Sequence, residues 1–260
     1  MSEWIIKSAL GIIDPILPIC QIKLPDRLMV LLEEDAITKI IRQTNDYEPH
    51  FTNIANEFIR KNDNVIDCGA NCGFHTITMS KLVGNNGKVF SFEPLRVIHQ
   101  QLNCNIFING LSNVISYNCS VGHMNILVSI TPPNYFKGGN IGNTWIHNNN
   151  TGDSVGMIKL DDTISEKINF IKLDIQGCEL LALNGAINLI KNHKPILFVE
   201  MEDCHLTRYN TNSKQLSEYI KSELDYDVYK IITDYPCDYL CVPKNTNLSD
   251  KKIKFELQKI

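Results

Sequence analysis

The sequence predicts an α/β fold in which helices cover both faces of a mostly parallel sheet. From Val65 onward, short runs rich in β-branched and aromatic residues alternate with stretches of helical periodicity. Such alternation is the pattern of strands and helices wound into a parallel sheet. The runs "INFIKL" and "PILFV" are apolar almost throughout, which is typical of strands buried on both sides.

The predicted domain takes its strands and helices from separate segments. The strands are the runs "NVIDC", "KVFSF", "VISYN", "INFIKLD", "PILFVEM", "DVYKII" and "YLCVP", in chain order. The helices extend from Phe74 to Val83, Leu95 to Ile108, Glu179 to Ile190 and Ser213 to Leu224. No internal repeat interrupts this order, so residues 61–260 are expected to form one domain.

Residues 1–60 are expected to form a small extension ahead of this domain. The runs "CQIKL" and "RLMVLLEE" flank the turn signal Pro25-Asp26 and favour a β-hairpin. The stretch "FTNIANEFIR" then places Phe51, Ile54 and Phe58 on one face of a helix.

Residues 131–156, here called the insertion segment, depart from the alternation. They are rich in Gly and Asn and have no strand or helix period. A long irregular stretch within a domain is usually either functional or disordered. Glycines that permit hinge motion, together with Tyr135, Phe136, Trp145 and His147, favour a lid that binds an acceptor molecule. An exposed loop without a binding role is the alternative.

The composition disfavours two classes of partner, nucleic acids and membranes. The 260 residues carry a formal net charge of −4 without a basic stripe, which disfavours a nucleic-acid partner. No apolar stretch approaches the ~20 residues that cross a membrane, so no membrane partner is expected. The nine scattered cysteines lack the C-x-x-C spacing of metal and redox motifs, which indicates a reducing, cytoplasmic compartment.

The stretch "VIDCGANCGFHT" places a glycine-containing loop between a strand and a helix. Gly69 and Gly73 lie where a ligand would approach the backbone and a side chain would block it. A dinucleotide site has the pattern G-x-G-x-x-G, but Asn71 occupies the place of the second glycine. The loop therefore fits a dinucleotide pyrophosphate poorly.

Two acids accompany this loop at the ends of adjacent predicted strands. Asp67 ends the first strand, and Glu93 ends the next one about 20 residues later, where a ribose-binding acid is expected. An acidic mouth favours a nucleoside with a cationic centre over one with a pyrophosphate, and S-adenosylmethionine matches that description. The alternative is that Asp67 caps a turn and Glu93 is merely exposed.

Ordered motifs across residues 45–201 give the sequence a family resemblance. They are "DYEPHF", "VIDCGANCGFHT", "VFSFEP", "NIFINGLSNVISYNCSVG", "IKLDDTI", "FIKLDIQGCELLALNGA" and "PILFVEM". In these motifs the chain resembles the FkbM-family methyltransferases of the class I, S-adenosylmethionine-dependent group. The resemblance implies a Rossmann-like, doubly wound, mostly parallel sheet of seven strands. One departure is Gln176, where many members carry Glu.

The resemblance also implies which residues contact S-adenosylmethionine. They are Glu48, Asp67, Gly69, Ala70, Asn71, Gly73, Glu93, Asn118, Cys119 and Ser120. The glycine loop would surround the methionine part, and Asp67 would hold its amino group directly or through water. Glu93 would accept hydrogen bonds from both ribose hydroxyls, and the residues after the third strand would meet the adenine. For Glu48, closure of the site and a plain surface acid before a proline both stay open.

Three residues are candidates for proton removal from an acceptor hydroxyl. Asp174 and Glu200 end neighbouring predicted strands, and His205 follows shortly after. A helix cap for Asp174 and an ordinary loop position for His205 are the alternatives. Asp174 and Glu200 could also hold Mg²⁺, but no third ligand is evident, so no metal is expected.

The resemblance implies an O-methyltransferase acting on a sugar, glycan or small metabolite. A nucleic-acid methyltransferase and a non-catalytic binding module with the same fold are the alternatives, and an NAD-dependent dehydrogenase is a more distant one. Whether the chain forms a homodimer is left open.

Overall fold

A computed structural model describes residues 17–147 and 151–260 as a mixed α/β structure. Its strands are β1 (Ile19–Lys23), β2 (Leu28–Leu32), β3 (Asn64–Cys68), β4 (Lys88–Phe92), β5 (Val114–Tyr117), β6 (Cys119–Val121), β7 (Ile126–Ile130), β8 (Ile146–His147), β9 (Asp153–Ile158), β10 (Phe170–Leu173), β11 (Ile196–Glu200), β12 (Tyr226–Ile231), β13 (Asp238–Pro243) and β14 (Leu257–Lys259). Its helices are α1 (Ala36–Thr44), α2 (Pro49–Phe58), α3 (Phe74–Val83), α4 (Arg96–Ile108), α5 (Leu160–Thr163), α6 (Glu179–Asn184), α7 (Ile187–His193), α8 (Asp203–Leu206) and α9 (Ser213–Ser222).

The main sheet has eight strands in the order β14-β12-β13-β11-β10-β3-β4-β5. The five strands from β11 to β5 are parallel to one another. β13 pairs antiparallel with both β11 and β12, so the sheet is mixed. The carboxyl ends of the parallel strands therefore meet along one edge of the sheet.

The predicted count of seven strands is wrong by one. The seven predicted runs all form strands of this sheet, and β14 adds an eighth by pairing antiparallel with β12 at the edge. β14 is three residues long and largely exposed, so its sequence carries too little hydrophobic alternation to be identified as a strand.

Helices cover both faces of the sheet, as the apolar runs predict. In β10, Phe170 packs with the residues of α2 and α3, whereas its neighbour Ile171 packs with those of α6, α7 and α9. Successive side chains of a strand point to opposite faces, so an apolar run such as "FIKL" has to be covered twice.

The predicted helix from Glu179 to Ile190 is divided into α6 and α7. The division falls at Gly185, where a Cβ atom would collide with the carbonyl oxygen of Gly122. The close approach of a second backbone explains why a glycine stands there and why the helix does not continue.

The insertion segment is not irregular throughout, which corrects the sequence-based expectation. It contains β8 and β9, which join β6 and β7 in a four-stranded sheet of order β6-β9-β7-β8. The run "DSVGMI" buries Val155 and Met157 and exposes or half-buries the residues between them. This alternation has a period of two, but a single strand of six residues within a Gly- and Asn-rich stretch is a weak signal.

The hairpin of β1 and β2 is attached to α4 by amide side chains. Asn105 accepts a hydrogen bond from the backbone N–H of Val30 (2.7 Å) and donates to its carbonyl oxygen (3.1 Å). Asn109, one turn later, makes the same pair of bonds to Leu28 at 2.9 and 2.7 Å. Residues four apart lie on one face of a helix, so these two amides reach the same edge of β2. They form hydrogen bonds with its free backbone groups, as a neighbouring strand would.

Among the described residues, none of the helices has the length and hydropathy required to cross a membrane.

We predict that Asn105→Ala lowers the free energy of unfolding by about 1–3 kcal/mol, because the backbone N–H of Val30 and the carbonyl oxygen of Cys72 each lose a hydrogen bond. Asn105 is fully buried and also donates to the carbonyl oxygen of Cys72 at 2.8 Å. Urea unfolding measures the change, and Gln100→Ala on the exposed face of α4 is the matched control. Equal unfolding curves for the two variants would contradict the attachment.

Candidate active site

A cavity opens at the carboxyl ends of the parallel strands, which is where ligands bind in open α/β sheets. Its space, including the open mouth, is about 890 Å³. The walls come from the loop after β3, the ends of β4, β10 and β11, strand β6, the insertion segment and Tyr235-Pro236. The fold therefore brings distant parts of the sequence to one cavity.

Two glycines shape the loop between β3 and α3. Gly69 has a φ of +79°, and a Cβ atom there would collide with the carbonyl oxygen of Asp174. Gly73 has a φ of +90°, and a Cβ atom there would lie 2.7 Å from Cδ1 of Leu102. Glycine is therefore required at both positions for packing against β10 and α4, before any ligand is considered.

Glu93 follows β4 and presents a buried carboxyl group to the cavity. Its Oε2 accepts a hydrogen bond from the backbone N–H of Asn71 (3.0 Å), and its Oε1 accepts one from that of Leu95 (2.8 Å). Burial is the main cause that raises the pKa of Glu93 to about 7, against the lowering effect of these two donors. Each oxygen keeps a further lone pair for a ligand hydroxyl.

Lys172 places an ammonium group in the interior beside the cavity, with only 1% of the residue exposed. Its Nζ lies 3.2 Å from Oδ2 of Asp174 and 3.6 Å from Oδ1 of Asp67, and it donates to the carbonyl oxygen of Gly69 at 3.3 Å. Burial opposes the charge, but the carboxylates of Asp174, Asp67 and Glu48 outweigh it and raise the pKa of Lys172. This residue was not predicted as part of the site, although a lysine inside the apolar run "FIKL" indicates a buried charge.

Asp67 does not reach the wall of the cavity, contrary to its expected contact with the cofactor. The strand β3 continues past Asp67 to Cys68, and Asp67 stands in register with Lys172 of β10. The side chain is fully buried and accepts a hydrogen bond from Oγ1 of Thr76 at 2.6 Å. Asp67 therefore contacts Lys172 and α3 instead of the cavity.

Asp174 and Glu200 meet at the cavity with Gln176 between them. The amide Nε2 of Gln176 lies 3.4 Å from Oδ1 of Asp174 and 3.5 Å from Oε2 of Glu200. Burial, followed by the charges of Asp174 and Glu179, raises the pKa of Glu200 well above its ordinary value. Burial therefore favours the protonated form of Glu200.

His205 lies behind Glu200 and does not line the cavity. Its Nδ1 is 3.4 Å from Oε2 of Glu200, and burial lowers the pKa of His205. His205 is therefore not placed to contact an acceptor molecule in the cavity directly.

Glu48 lies at the cavity immediately before α2, in a left-handed backbone conformation with a φ of +49°. Its Oε2 is 2.7 Å from Nε2 of His75 in α3. Burial opposes ionisation, but the hydrogen bond and charge of His75, with the charge of Lys172, lower the pKa of Glu48. The extension therefore contributes an ionised acid to the site.

The structure brings most of the predicted site residues together but not all of them. Those that line the cavity are Glu48, Gly69, Asn71, Glu93, Cys119, Ser120, Asp174 and Glu200. Those that do not line it are Asp67, Ala70, Gly73, Asn118 and His205. Asn118, for example, turns away and donates to the carbonyl oxygens of Glu93 (2.9 Å) and Pro94 (3.0 Å).

The insertion segment forms part of the cavity wall and is attached on two sides. The backbone N–H of Ala36 donates to the carbonyl oxygen of Gly139 at 2.8 Å. The hydroxyl of Tyr209 donates to the carbonyl oxygen of Ile146 at 2.7 Å, and the guanidinium of Arg208 lies 4.3 Å from the ring centre of Trp145. Trp145 lines the cavity and is 44% exposed, so its ring is accessible at the mouth.

Comparison with known proteins decides the family. The model of the methyltransferase FkbM domain matches residues 67–228, which is more than half of the chain. The chain belongs to the FkbM methyltransferase family. This membership confirms the predicted enzyme class, an S-adenosylmethionine-dependent methyltransferase, and S-adenosylmethionine as the cofactor.

Solved structures agree with this fold. The methyltransferase FkbM from Methylobacillus flagellatus KT has 23% identity and a TM-score of 0.52, over 78% of this chain and 52% of that one. The chain thus spans about half the length of that relative. A predicted rRNA-methylase from Clostridium thermocellum has 16% identity and a TM-score of 0.50, over 75% of this chain and 94% of that one. A search of curated proteins finds no match.

The residues of the cavity suit S-adenosylmethionine. Four carboxyl groups line the wall, those of Glu48, Glu93, Asp174 and Glu200, and no Lys, Arg or His stands among the described wall residues. Such a wall attracts a sulfonium and an ammonium group and repels a pyrophosphate. Glu93, with two backbone donors and two remaining lone pairs, is suited to a ribose diol.

We predict that the affinity for S-adenosylhomocysteine falls as the pH is lowered from 8 to 6, by up to about tenfold, because Glu93 takes up a proton near pH 7. Glu93→Gln should weaken binding at pH 8 by about 1.5–3 kcal/mol, since hydrogen bonds to a charged group are lost. Calorimetry at pH 6, 7 and 8 measures both effects.

The exposed Glu223→Gln variant is the control for Glu93→Gln. The pH dependence of Glu93→Gln should be flatter than that of the control. Identical affinities and pH profiles for the two variants would remove Glu93 from the cofactor site.

Proposed function

We propose that the protein transfers a methyl group from S-adenosylmethionine to a hydroxyl group of an uncharged sugar, glycan or small metabolite. The observation that carries this proposal is the acidic cavity wall, in which Asp174 and Glu200 end neighbouring strands. The acids of this wall can accept a proton. Among its described residues, the wall has no cation that would bind a phosphate. The cytoplasmic location predicted from the sequence is part of this proposal.

The charge of the wall favours this proposal over a nucleic-acid methyltransferase. Nucleic-acid binders obtain most of their affinity from Lys and Arg side chains that contact phosphates. The relative from Clostridium thermocellum is a predicted rRNA-methylase, so the fold itself is compatible with RNA substrates. Methylation of RNA that collapses with added salt would favour this alternative.

Asp174 is the residue best suited to orient the acceptor and accept its proton. When bound, S-adenosylmethionine supplies an electrophilic methyl group. The hydroxyl of the acceptor loses its proton as its oxygen forms the new bond, and a carboxylate within hydrogen-bonding reach can accept that proton. Asp174 lines the cavity, and its carboxylate is held by Lys172 and Gln176.

Glu200 and His205 have supporting roles in this proposal. Burial favours the protonated form of Glu200, and that form donates a hydrogen bond to an acceptor oxygen instead of receiving a proton. His205 contacts Glu200 from the side away from the cavity and fixes its carboxyl group. Proton removal therefore falls to Asp174.

The chemistry proposed here uses no metal ion. Among residues 17–147 and 151–260, no three His, Cys, Asp or Glu side chains are grouped so as to hold one. Turnover that persists in a chelator is the expected result.

Gln176 is the feature that keeps a non-catalytic binding module open as an alternative. Its amide stands between the Asp174 and Glu200 carboxyl groups, so the substitution does not displace either of them. A screen of sugars, glycans and small alcohols with labelled S-adenosylmethionine decides between enzyme and module. Transfer of label to a neutral hydroxyl compound is expected, and binding of cofactor without any transfer would support the module.

We predict that Asp174→Asn lowers turnover at least about 100-fold, because a general base contributes about 10²–10⁴-fold. The affinity for S-adenosylhomocysteine should change by much less, and the melting temperature should stay within a few degrees. Turnover assays beside calorimetry and thermal unfolding separate these effects. A variant that loses about 1 kcal/mol of stability but keeps its turnover would show that Asp174 is a helix cap only.

We predict that Trp145→Ala raises the KM for the acceptor severalfold and leaves the cofactor affinity unchanged. The ring is exposed at the mouth and backed by Arg208, so an apolar face of a sugar can stack on its free side. Trp145→Phe, which keeps an aromatic surface, is the matched control and should lie between the wild type and Trp145→Ala. Unaltered acceptor kinetics in Trp145→Ala would exclude the insertion segment from acceptor recognition.

A further inference from the structure

We propose that Lys172 is a positioning residue that fixes the glycine loop relative to the carboxylate of Asp174. This proposal rests on the proposed function in one respect: the cavity is taken to be the site that binds the cofactor and the acceptor. Its basis is the set of three contacts that one ammonium group makes with two chain segments, the end of β3 with the glycine loop and the end of β10.

The ammonium group of Lys172 connects two residues of the cavity wall. The Nζ of Lys172 donates to the carbonyl oxygen of Gly69 at 3.3 Å and to Oδ2 of Asp174 at 3.2 Å. Both Gly69 and Asp174 line the cavity, whereas Lys172 does not. The ammonium group therefore joins two adjacent parts of the wall from behind.

The two joined segments lie in direct contact with each other. The backbone at Gly69 packs so tightly on that of Asp174 that no side chain fits between them. A shift of the glycine loop would therefore displace the Asp174 segment, and the reverse also holds. A misplacement of about 1 Å at a reacting group can reduce a rate about 100-fold.

The ammonium group also compensates the charge of the acids around it. The titratable groups that surround the ammonium are the carboxylates of Asp67, Asp174 and Glu48 and the thiol of Cys68. Removal of the ammonium would leave Asp67 and Asp174 facing each other without a counterion. Two such carboxylates repel, and one of them binds a proton at a higher pH.

A counterion alone and a positioning residue predict different outcomes in a charge-balanced variant. With both acids ionised, Asp67, Asp174 and Lys172 together carry one negative charge, and the pair Asp67→Asn and Lys172→Met restores that value. Asn at position 67 can still accept the hydrogen bond from Thr76. The double variant therefore regains the charge balance but not the ammonium contacts with Gly69 and Asp174.

The experiment compares Lys172→Met, the double variant and the control Lys88→Met by thermal unfolding and by calorimetry with S-adenosylhomocysteine at pH 6 and 8. Lys88 lies on the neighbouring strand β4 and forms an exposed ion pair with Glu166 at 2.7 Å. We expect Lys172→Met to melt at a lower temperature and to bind at least about tenfold more weakly at pH 8.

The double variant should regain most of the melting temperature while its binding stays at least about fivefold weaker than that of the wild type. Recovery of both stability and affinity in the double variant would reduce Lys172 to a counterion and overturn the proposal. Wild-type affinity in Lys172→Met would overturn it directly. Failure of the wild type to bind S-adenosylhomocysteine would instead overturn the proposed function, and this proposal with it.

Discussion

The site depends on the crowding of carboxyl groups around one buried ammonium. Charges in a protein interior are costly unless they are paired, so a group of acids cannot all be ionised there. Asp67 and Asp174 have the ammonium of Lys172 within 3.6 Å, and Glu48 has His75. Glu200 has only the imidazole of His205, whose own pKa is lowered by burial, and burial raises the pKa of Glu200. The positions of the lysine and histidine side chains therefore determine where negative charge is stabilised among these acids.

Strand pairing sets this arrangement. Because β3 and β10 are parallel neighbours, Asp67 and Lys172 stand opposite each other, and the loops that follow the two strands meet at Gly69 and Asp174. The cavity thus has one wall made by the glycine loop and another made by the end of β10, with the ion pair beneath both. Backbone register and side-chain charge reinforce each other, which is the consistency expected of a natural sequence.

Much of the fold could be predicted from the sequence because its signals are local. Apolar runs and helical periods identified the parallel strands and the longer helices that cover the main sheet, whereas β14 has only three residues and β9, although it alternates, lies in a stretch rich in Gly and Asn. At the site, Glu93, Asp174 and Glu200 were predicted because each ends a strand, and strand ends define the cavity. The direction of a side chain is not local, so Asp67 and His205 were expected at the cavity although they lie behind it. Lys172 was missed because the run "INFIKL" was interpreted as an apolar strand and its lysine was not considered separately.

Gln176 shows how the same electrostatic constraint acts at the acceptor end of the cavity. Many family members carry Glu there, and a third carboxylate within about 3.5 Å of both Asp174 and Glu200 would raise the cost of ionising Asp174. The amide keeps the hydrogen bonds to both acids and adds no charge. Its Oε1 is buried and lacks a hydrogen-bond partner among the described residues. Since a buried acceptor without a donor is costly, this oxygen is suited to receive a hydroxyl group of the acceptor molecule. The departure from the family pattern therefore leaves this end of the cavity less negative than a Glu at this position would, which agrees with the uncharged acceptor proposed above.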